Sequence, residues 1–214
     1  MVIESPFSGL SLKEQVRPHL QRDRFTVEEL KLLFASLQPN MRRPYYYWLP
    51  WLGLFTGARL EELCQLHLSD IRQEGEVWIL DINSKDEKRL KTPAAERLVP
   101  IHSRLLDLGF VGYCEGLRHR GETRLFPELK HMRDGYGQTA SKWFARHRET
   151  IGVEKPFHSL RHTFVDEMRQ LGADHKKIAA LVGHADESMT GGRYGKPFRP
   201  EVLRPEIEIL KFSF

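Results

Sequence analysis

The sequence predicts a mainly α fold with a small antiparallel β-sheet (α+β), built as one unit. Three observations predict it. Helical spacing of apolar residues dominates the chain. The period shifts to that of strands only in one stretch, between Glu76 and Ile101. No internal repeat, low-complexity run or Pro/Gly-rich seam divides the 214 residues.

The elements follow in order. "TVEELKLLFASL" (Thr26–Leu37) reads as a helix: Thr26 is placed to cap it, Glu29 completes a capping box, and Leu30, Leu33 and Leu37 form its apolar stripe. Pro44 opens a second, largely buried helix that ends near Thr56-Gly57. "ARLEELCQLHL" follows as a third, amphipathic helix. "EVWILDI" (Glu76–Ile82) and "RLVPI" (Arg97–Ile101) read as strands, with "DIRQEG" before them as an edge strand or turn and a polar, lysine-rich connection between them. Helices are expected again near Ser103–Arg118, Gln138–Thr150, His158–Leu171 and Asp174–Val182, and "PEVLRPEIEILKF" closes the chain as an amphipathic piece.

Composition narrows the class. Hydrophobic residues make up 40% of the chain, which suits a globular protein with a real core. "MVIESPFSGL" lacks the pattern of a signal peptide, and the most apolar run, Tyr45–Phe55, contains Pro50 and is too short for the roughly 20 residues of a membrane span. Cys64 and Cys114 fit no zinc spacing and are read as reduced, packed thiols of a cytoplasmic protein. The net charge is +4 and the pI about 9.1. That permits a nucleic-acid partner without demanding one, although "KDEKRLK", "LRHRGETR" and "KWFARHR" gather the cations into clusters.

Candidate chemistry lies in three stretches. In "TGARLEELCQLHLSDI", Arg59 and Glu62 are three apart, placed to share a helix face; they form either a surface ion pair or an arginine aimed at an anion and held by the carboxylate. Thr56-Gly57 before them reads as a tight turn open to a phosphate. In "FHSLRHTF", His158 and Arg161 are placed as joint donors to an anion at a helix start. His158 and His162 have the spacing of a metal pair but lack a Glu between them and a third ligand. In "GHADESMTGGRYG", His184 follows a glycine at the end of an apolar helix, and Tyr194 stands in a segment with hardly anything to pack. Taken singly, His184 and Tyr194 read as structural residues.

Together these blocks resemble the catalytic domain of the tyrosine recombinases, the phage-integrase family. The resemblance rests on "TGARLEEL", "HSLRHTF", "LVGH" followed by a tyrosine, and a lysine in "RLKTPAAERLVPI" before the third strand. It covers roughly Thr26 to Lys211. It implies the recombinase catalytic core fold and a site-specific DNA recombinase or integrase that cleaves and rejoins strands through a 3′-phosphotyrosyl link. Tyr194 would be the nucleophile, Arg59 and Arg161 the clamp on the non-bridging oxygens, and Lys91 the general acid. His158 and His184 would donate hydrogen bonds and assist proton transfer, and Glu62 would orient Arg59. Lys85 and Lys88 share the connection with Lys91, and only the "KT…RLVPI" register favours Lys91. Tyr194 lies ten residues after His184, one more than expected of the family, with Gly191-Gly192 doubled. The glycines are read as letting the tyrosine dock or withdraw.

The resemblance also implies double-stranded DNA and other protomers, as a tetramer on DNA, as partners. It allows for an accessory directionality protein, needs no metal, ATP or other cofactor, and suits a bacterial, nucleoid-associated location. Residues 1–25 are expected to be the linker from a missing core-binding domain, and residues 26–214 the catalytic domain. The tail after Tyr194 is expected to pack onto its own domain or onto a neighbour. Two other readings stand beside recombination: strand relaxation of the type IB topoisomerase kind, and a DNA-binding module without catalysis.

Overall fold

A computed structural model describes residues 24–92, 95–184, 197–212 and 214. Its architecture is mainly helical with one three-stranded antiparallel sheet.

Helix α1 (Val27–Ala35) starts as its sequence dictates. Thr26 Oγ1 accepts from the Glu29 N–H at 3.1 Å, and Glu29 Oε2 accepts from the Thr26 N–H at 2.8 Å. Leu30, Leu33 and Leu37 are all buried. Helix α2 (Pro44–Thr56) runs through the core, and every residue from Trp48 to Thr56 is buried. It ends at Gly57, whose φ of 61° lies in the left-handed region that L side chains rarely adopt. A Cβ there would also stand 2.6 Å from the ring of Phe164. The turn is therefore sealed by an aromatic ring, which corrects the expectation that Thr56-Gly57 is open to a phosphate.

Helix α3 (Leu60–Cys64) is shorter than its apolar spacing predicts; the chain leaves it at Gln65 and makes a single 3-10 turn, Leu68–Asp70. Strands β1 (Ile71–Glu74), β2 (Val77–Ile82) and β3 (Arg97–Pro100) then pair in the order β1-β2-β3. Ile71 pairs with Leu80, and Leu80 with Val99, so one face of the sheet joins the core. "DIRQEG" thus supplies an edge strand.

One helix expected near Ser103–Arg118 is two, α4 (Ser103–Asp107) and α5 (Phe110–His119), because the chain turns at Leu108-Gly109. Helices α6 (Gly137–Thr150), α7 (His158–Gln170) and α8 (His175–Val182) follow close to expectation. Helix α9 (Pro200–Glu208) packs against β3, β2 and α8. Beyond it, Phe214 stacks on Phe34 with ring centroids 4.7 Å apart, and Phe212 meets Phe55 edge to face at 5.4 Å. The His102 ring nitrogen Nε2 lies 3.0 Å from the Leu210 carbonyl. In this single chain the tail lies on its own domain. Both cysteines are buried and free. Among the described residues, no helix is long and apolar enough to cross a membrane.

Candidate active site

The motif residues converge on one cleft of about 620 Å³. Arg59, Lys91, His158, Arg161 and His184 all line it, joined by His162. They come from the α2–α3 link, the β2–β3 connection, the first turns of α7 and the end of α8. Tyr194, with the glycines around it, lies outside the described residues.

Arg59 is not on the helix with Glu62, as the spacing suggested. It is the extended N-cap of α3, and Glu62 reaches back to it from the helix's first turn. Glu62 Oε1 accepts from Arg59 Nη1 at 2.7 Å, and Oε2 from the Arg59 N–H at 2.9 Å. The same Oε2 accepts from Arg97 Nη2 at 2.8 Å. Glu62 and Arg97 are buried while Arg59 keeps 27% of its side chain exposed, so the carboxylate fixes a guanidinium that still faces the cleft. Burial alone would raise the Glu62 pKa; Arg97, then Arg59, outweigh it and hold the group below its ordinary value. Glu62 is therefore ionised and holds both arginines by charge-assisted bonds.

Arg161 is buried, and its charge is met by helix ends. Nη1 donates to the Gly57 carbonyl at the end of α2 (2.7 Å), and Nη2 to the Val182 carbonyl in the last turn of α8 (2.6 Å). Both carbonyls sit at the negative end of a helix dipole, which suits a cation. Burial first, then Arg59 and Arg97, push Arg161 down to about 9, so it stays charged at neutral pH.

The "LVGH" stretch aims His184. The Gly183 N–H bonds the Ala180 carbonyl at 3.3 Å and the His184 N–H bonds the Ala179 carbonyl at 3.0 Å, the paired closure of a Schellman motif. Gly183 has φ 66°, and a Cβ there would lie 2.9 Å from Arg97 Nη1 and 3.1 Å from the Ala95 Cα. Only glycine lets α8 stop here against the β3 side of the cleft.

His158 stands at the first position of α7 with one edge in solvent. The protein on its inner side, then the charges of His162, Arg161, Arg59 and Lys91, lower its pKa, so the ring is neutral at pH 7. His162 meets it edge to face, with centroids 4.6 Å apart. Among the described residues, no group of three or more His, Cys, Asp or Glu side chains is disposed to hold a metal ion.

The three lysines of the β2–β3 connection have separate fates. Lys91 is exposed and lines the cleft. Lys88 is buried against Asp70. Lys85 is exposed but outside the cleft lining.

Sequence reasoning missed Arg97. Besides Glu62, it donates through Nε to the Leu181 carbonyl and through Nη1 to the Ala95 carbonyl, both at 2.7 Å. It joins the Arg59 support to the last turn of α8. A visible sign was an arginine opening an otherwise apolar strand, "RLVPI". Glu61 was missed as well. Its carboxylate accepts from the Tyr136 and Gly137 N–H groups at 2.8 and 2.6 Å, capping the start of α6.

A model of the Phage integrase family matches residues 23–199, and the chain belongs to that family. It is 28% identical over 191 residues to the tyrosine recombinase XerA of Thermococcus kodakarensis, a match that covers 86% of this chain and 64% of the relative. It spans less than two thirds of the length of the curated relatives that it matches first. Two solved structures share the fold. The integrase of transposon Tn1549, in complex with transposon right-end DNA, superposes with a TM-score of 0.58 at 22% identity, over 97% of this chain and 70% of that one. A λ integrase dimer bound to a COC′ core site superposes with a TM-score of 0.52 at 20% identity, over 90% and 66%.

Proposed function

We propose that the protein is a site-specific recombinase that cuts and rejoins double-stranded DNA through a transient 3′-phosphotyrosyl link. The observation that carries this reading is the convergence of Arg59, Lys91, His158, Arg161 and His184 on one cleft, with both arginines held in place from behind.

Tyr194 supplies the nucleophile. Its phenol, with an ordinary pKa of about 10, passes its proton to a ring nitrogen of neutral His158 as the oxygen bonds to phosphorus. The bond from phosphorus to the bridging 5′-oxygen breaks, and that oxygen takes a proton from the Lys91 ammonium. The strand is left with a 3′-phosphotyrosine and a 5′-hydroxyl. The link keeps the phosphodiester's energy, so the reverse attack by a 5′-hydroxyl reseals DNA without ATP. Arg59 and Arg161 meet the charge that grows on the non-bridging oxygens, work that falls to metal ions in many phosphoryl transfers. Neutral His158, with His184, donates to those oxygens and relays protons. Glu62 is a positioning residue for Arg59.

On this reading residues 26–214 are the catalytic unit. The protomers assemble on paired sites. The similar Tn1549 and λ integrase structures hold those proteins bound to DNA, which supports DNA as the partner.

The test uses a nicked suicide duplex library of random sequence, incubated in EDTA, with the wild type beside Tyr194→Phe. A covalent protein–DNA adduct that forms without metal and vanishes in the variant is expected. An adduct that persists in Tyr194→Phe contradicts the assignment of the nucleophile, and the absence of any adduct favours a binding module.

A further inference from the structure

The β2–β3 connection is polar and largely exposed from Ser84 to Glu87, yet it becomes pinned just before Lys91. Lys88 turns inward, with 2% of its side chain exposed, and donates to both oxygens of Asp70 at 2.8 and 2.7 Å. Asp70, itself 6% exposed in its side chain, is shared further. Asn83 Nδ2 donates to Oδ1 at 2.9 Å, and the His67 N–H to Oδ2 at 2.8 Å. The next residue is clamped as a strand partner would be: Gln65 Nε2 donates to the Arg89 carbonyl at 3.0 Å, and the Arg89 N–H donates to Gln65 Oε1 at 2.9 Å.

Two successive residues of the connection are thus tied to the segment 65–70, which follows α3 directly after Cys64. Stability is a poor explanation for such a pair. Burying a lysine and a carboxylate loses the hydration of both, and an apolar pair of similar volume serves folding as well or better. What the arrangement does supply is position, since three fixed donors on one carboxylate and a two-point backbone clamp admit one path for the chain. That path delivers Lys91 to the cleft rim.

We propose that Asp70 and Lys88, together with Gln65, are positioning residues that place the Lys91 ammonium against the leaving 5′-oxygen. This rests on the reading of Lys91 as the general acid. A flexible lysine on an untethered loop would sample the cleft; a lysine three residues past a buried anchor is held there. Misplacement by about 1 Å can slow a reaction on the order of 100-fold.

The test separates positioning from folding by removing the need for the acid. The full chain is given nicked duplexes with random flanks around one fixed scissile phosphate. One set carries the ordinary bridging 5′-oxygen; the other carries sulfur in its place. With sulfur, the P–S bond breaks and a thiolate departs without needing a proton. The paired variant Asp70→Asn/Lys88→Met leaves no orphaned charge, and Gln65→Ala serves as an independent second variant that keeps the ion pair.

Both variants are expected to form the adduct at least about tenfold more slowly than wild type on oxygen, and near the wild-type rate on sulfur. Lys91→Ala is expected to show the same selectivity more strongly, about 100-fold or more on oxygen. Equal slowing on both substrates, or none, in either positioning variant that melts cooperatively overturns the proposal while Lys91→Ala remains selective. Loss of selectivity in Lys91→Ala itself, or no adduct from the wild type on either substrate, overturns the general-acid reading and this proposal with it.

Discussion

Arg59 and Glu62 show what a single side chain must do here. The arginine is useful only if its fork is held while its face stays open, and Glu62 achieves this by gripping it from a buried position shared with Arg97. Lysine's point charge cannot be gripped and still present a planar fork. Arg59→Lys is expected to lower the single-turnover rate of adduct formation by about 100-fold while the melting temperature stays near that of wild type. Glu62 has a second, pH-dependent consequence. Its folded pKa lies below the ordinary carboxylate value of about 4.3, so the stability it contributes is present at neutral pH and is lost as pH falls below that value and through the folded pKa. Glu62→Gln is therefore expected to destabilise the protein by about 3 kcal/mol at pH 7, because two arginines lose their counter-charge, and by less as the solution is acidified. Urea denaturation of both proteins at several pH values reads the difference; a gap that widens toward low pH contradicts it. The motif residues were legible in the sequence because their signal is local: Arg59, His158, Arg161 and His184 each sit in a short pattern. Arg97 was not, because its meaning comes from the Leu181 carbonyl and Glu62, which only the fold brings to it.

At the level of elements, the cleft is set where helices stop. Arg161 reads the ends of α2 and α8 at once, and both ends require glycine in the left-handed region. Gly57→Ala places a methyl group against the Phe164 ring and strains the turn whose carbonyl Arg161 uses. It is expected to destabilise the protein by about 2 kcal/mol or more, read by urea denaturation, and to slow cleavage as well. Most elements were legible from capping and spacing. The box at Thr26 and Glu29, the proline at the start of α2 and the two apolar strands all stand where their local chemistry dictates. The exceptions were decided by tertiary contacts. Helix α3 ends early because Gln65 leaves it to clamp Arg89, and Asp70 turns in to meet Lys88. The apolar spacing of Ser103–Arg118 spans a turn at Leu108-Gly109 without a break in its pattern.

For the whole molecule, two properties follow from charge and closure. The cleft gathers Arg59, Lys91 and Arg161 in a chain of net charge +4. DNA affinity is therefore expected to fall steeply between about 50 and 200 mM salt when measured by fluorescence anisotropy. The tail closes its own core, with Phe212 and Phe214 lying against Phe55, Trp51 and Phe34. Phe212→Ala/Phe214→Ala is expected to destabilise the fold by about 1–3 kcal/mol, because both rings are only partly buried. The melting temperature of the wild type is expected to be independent of protein concentration; a rise with concentration would mean that the tail serves a neighbouring copy.

The covalent link is the claim on which the roles of the whole cleft depend. Its most direct test is to digest the adduct with nuclease and trypsin and find the modified residue by mass spectrometry. A nucleotide joined through its 3′-phosphate to Tyr194 is the predicted result. Attachment to any other side chain, or a free 3′-phosphate end with no modified peptide, would contradict it.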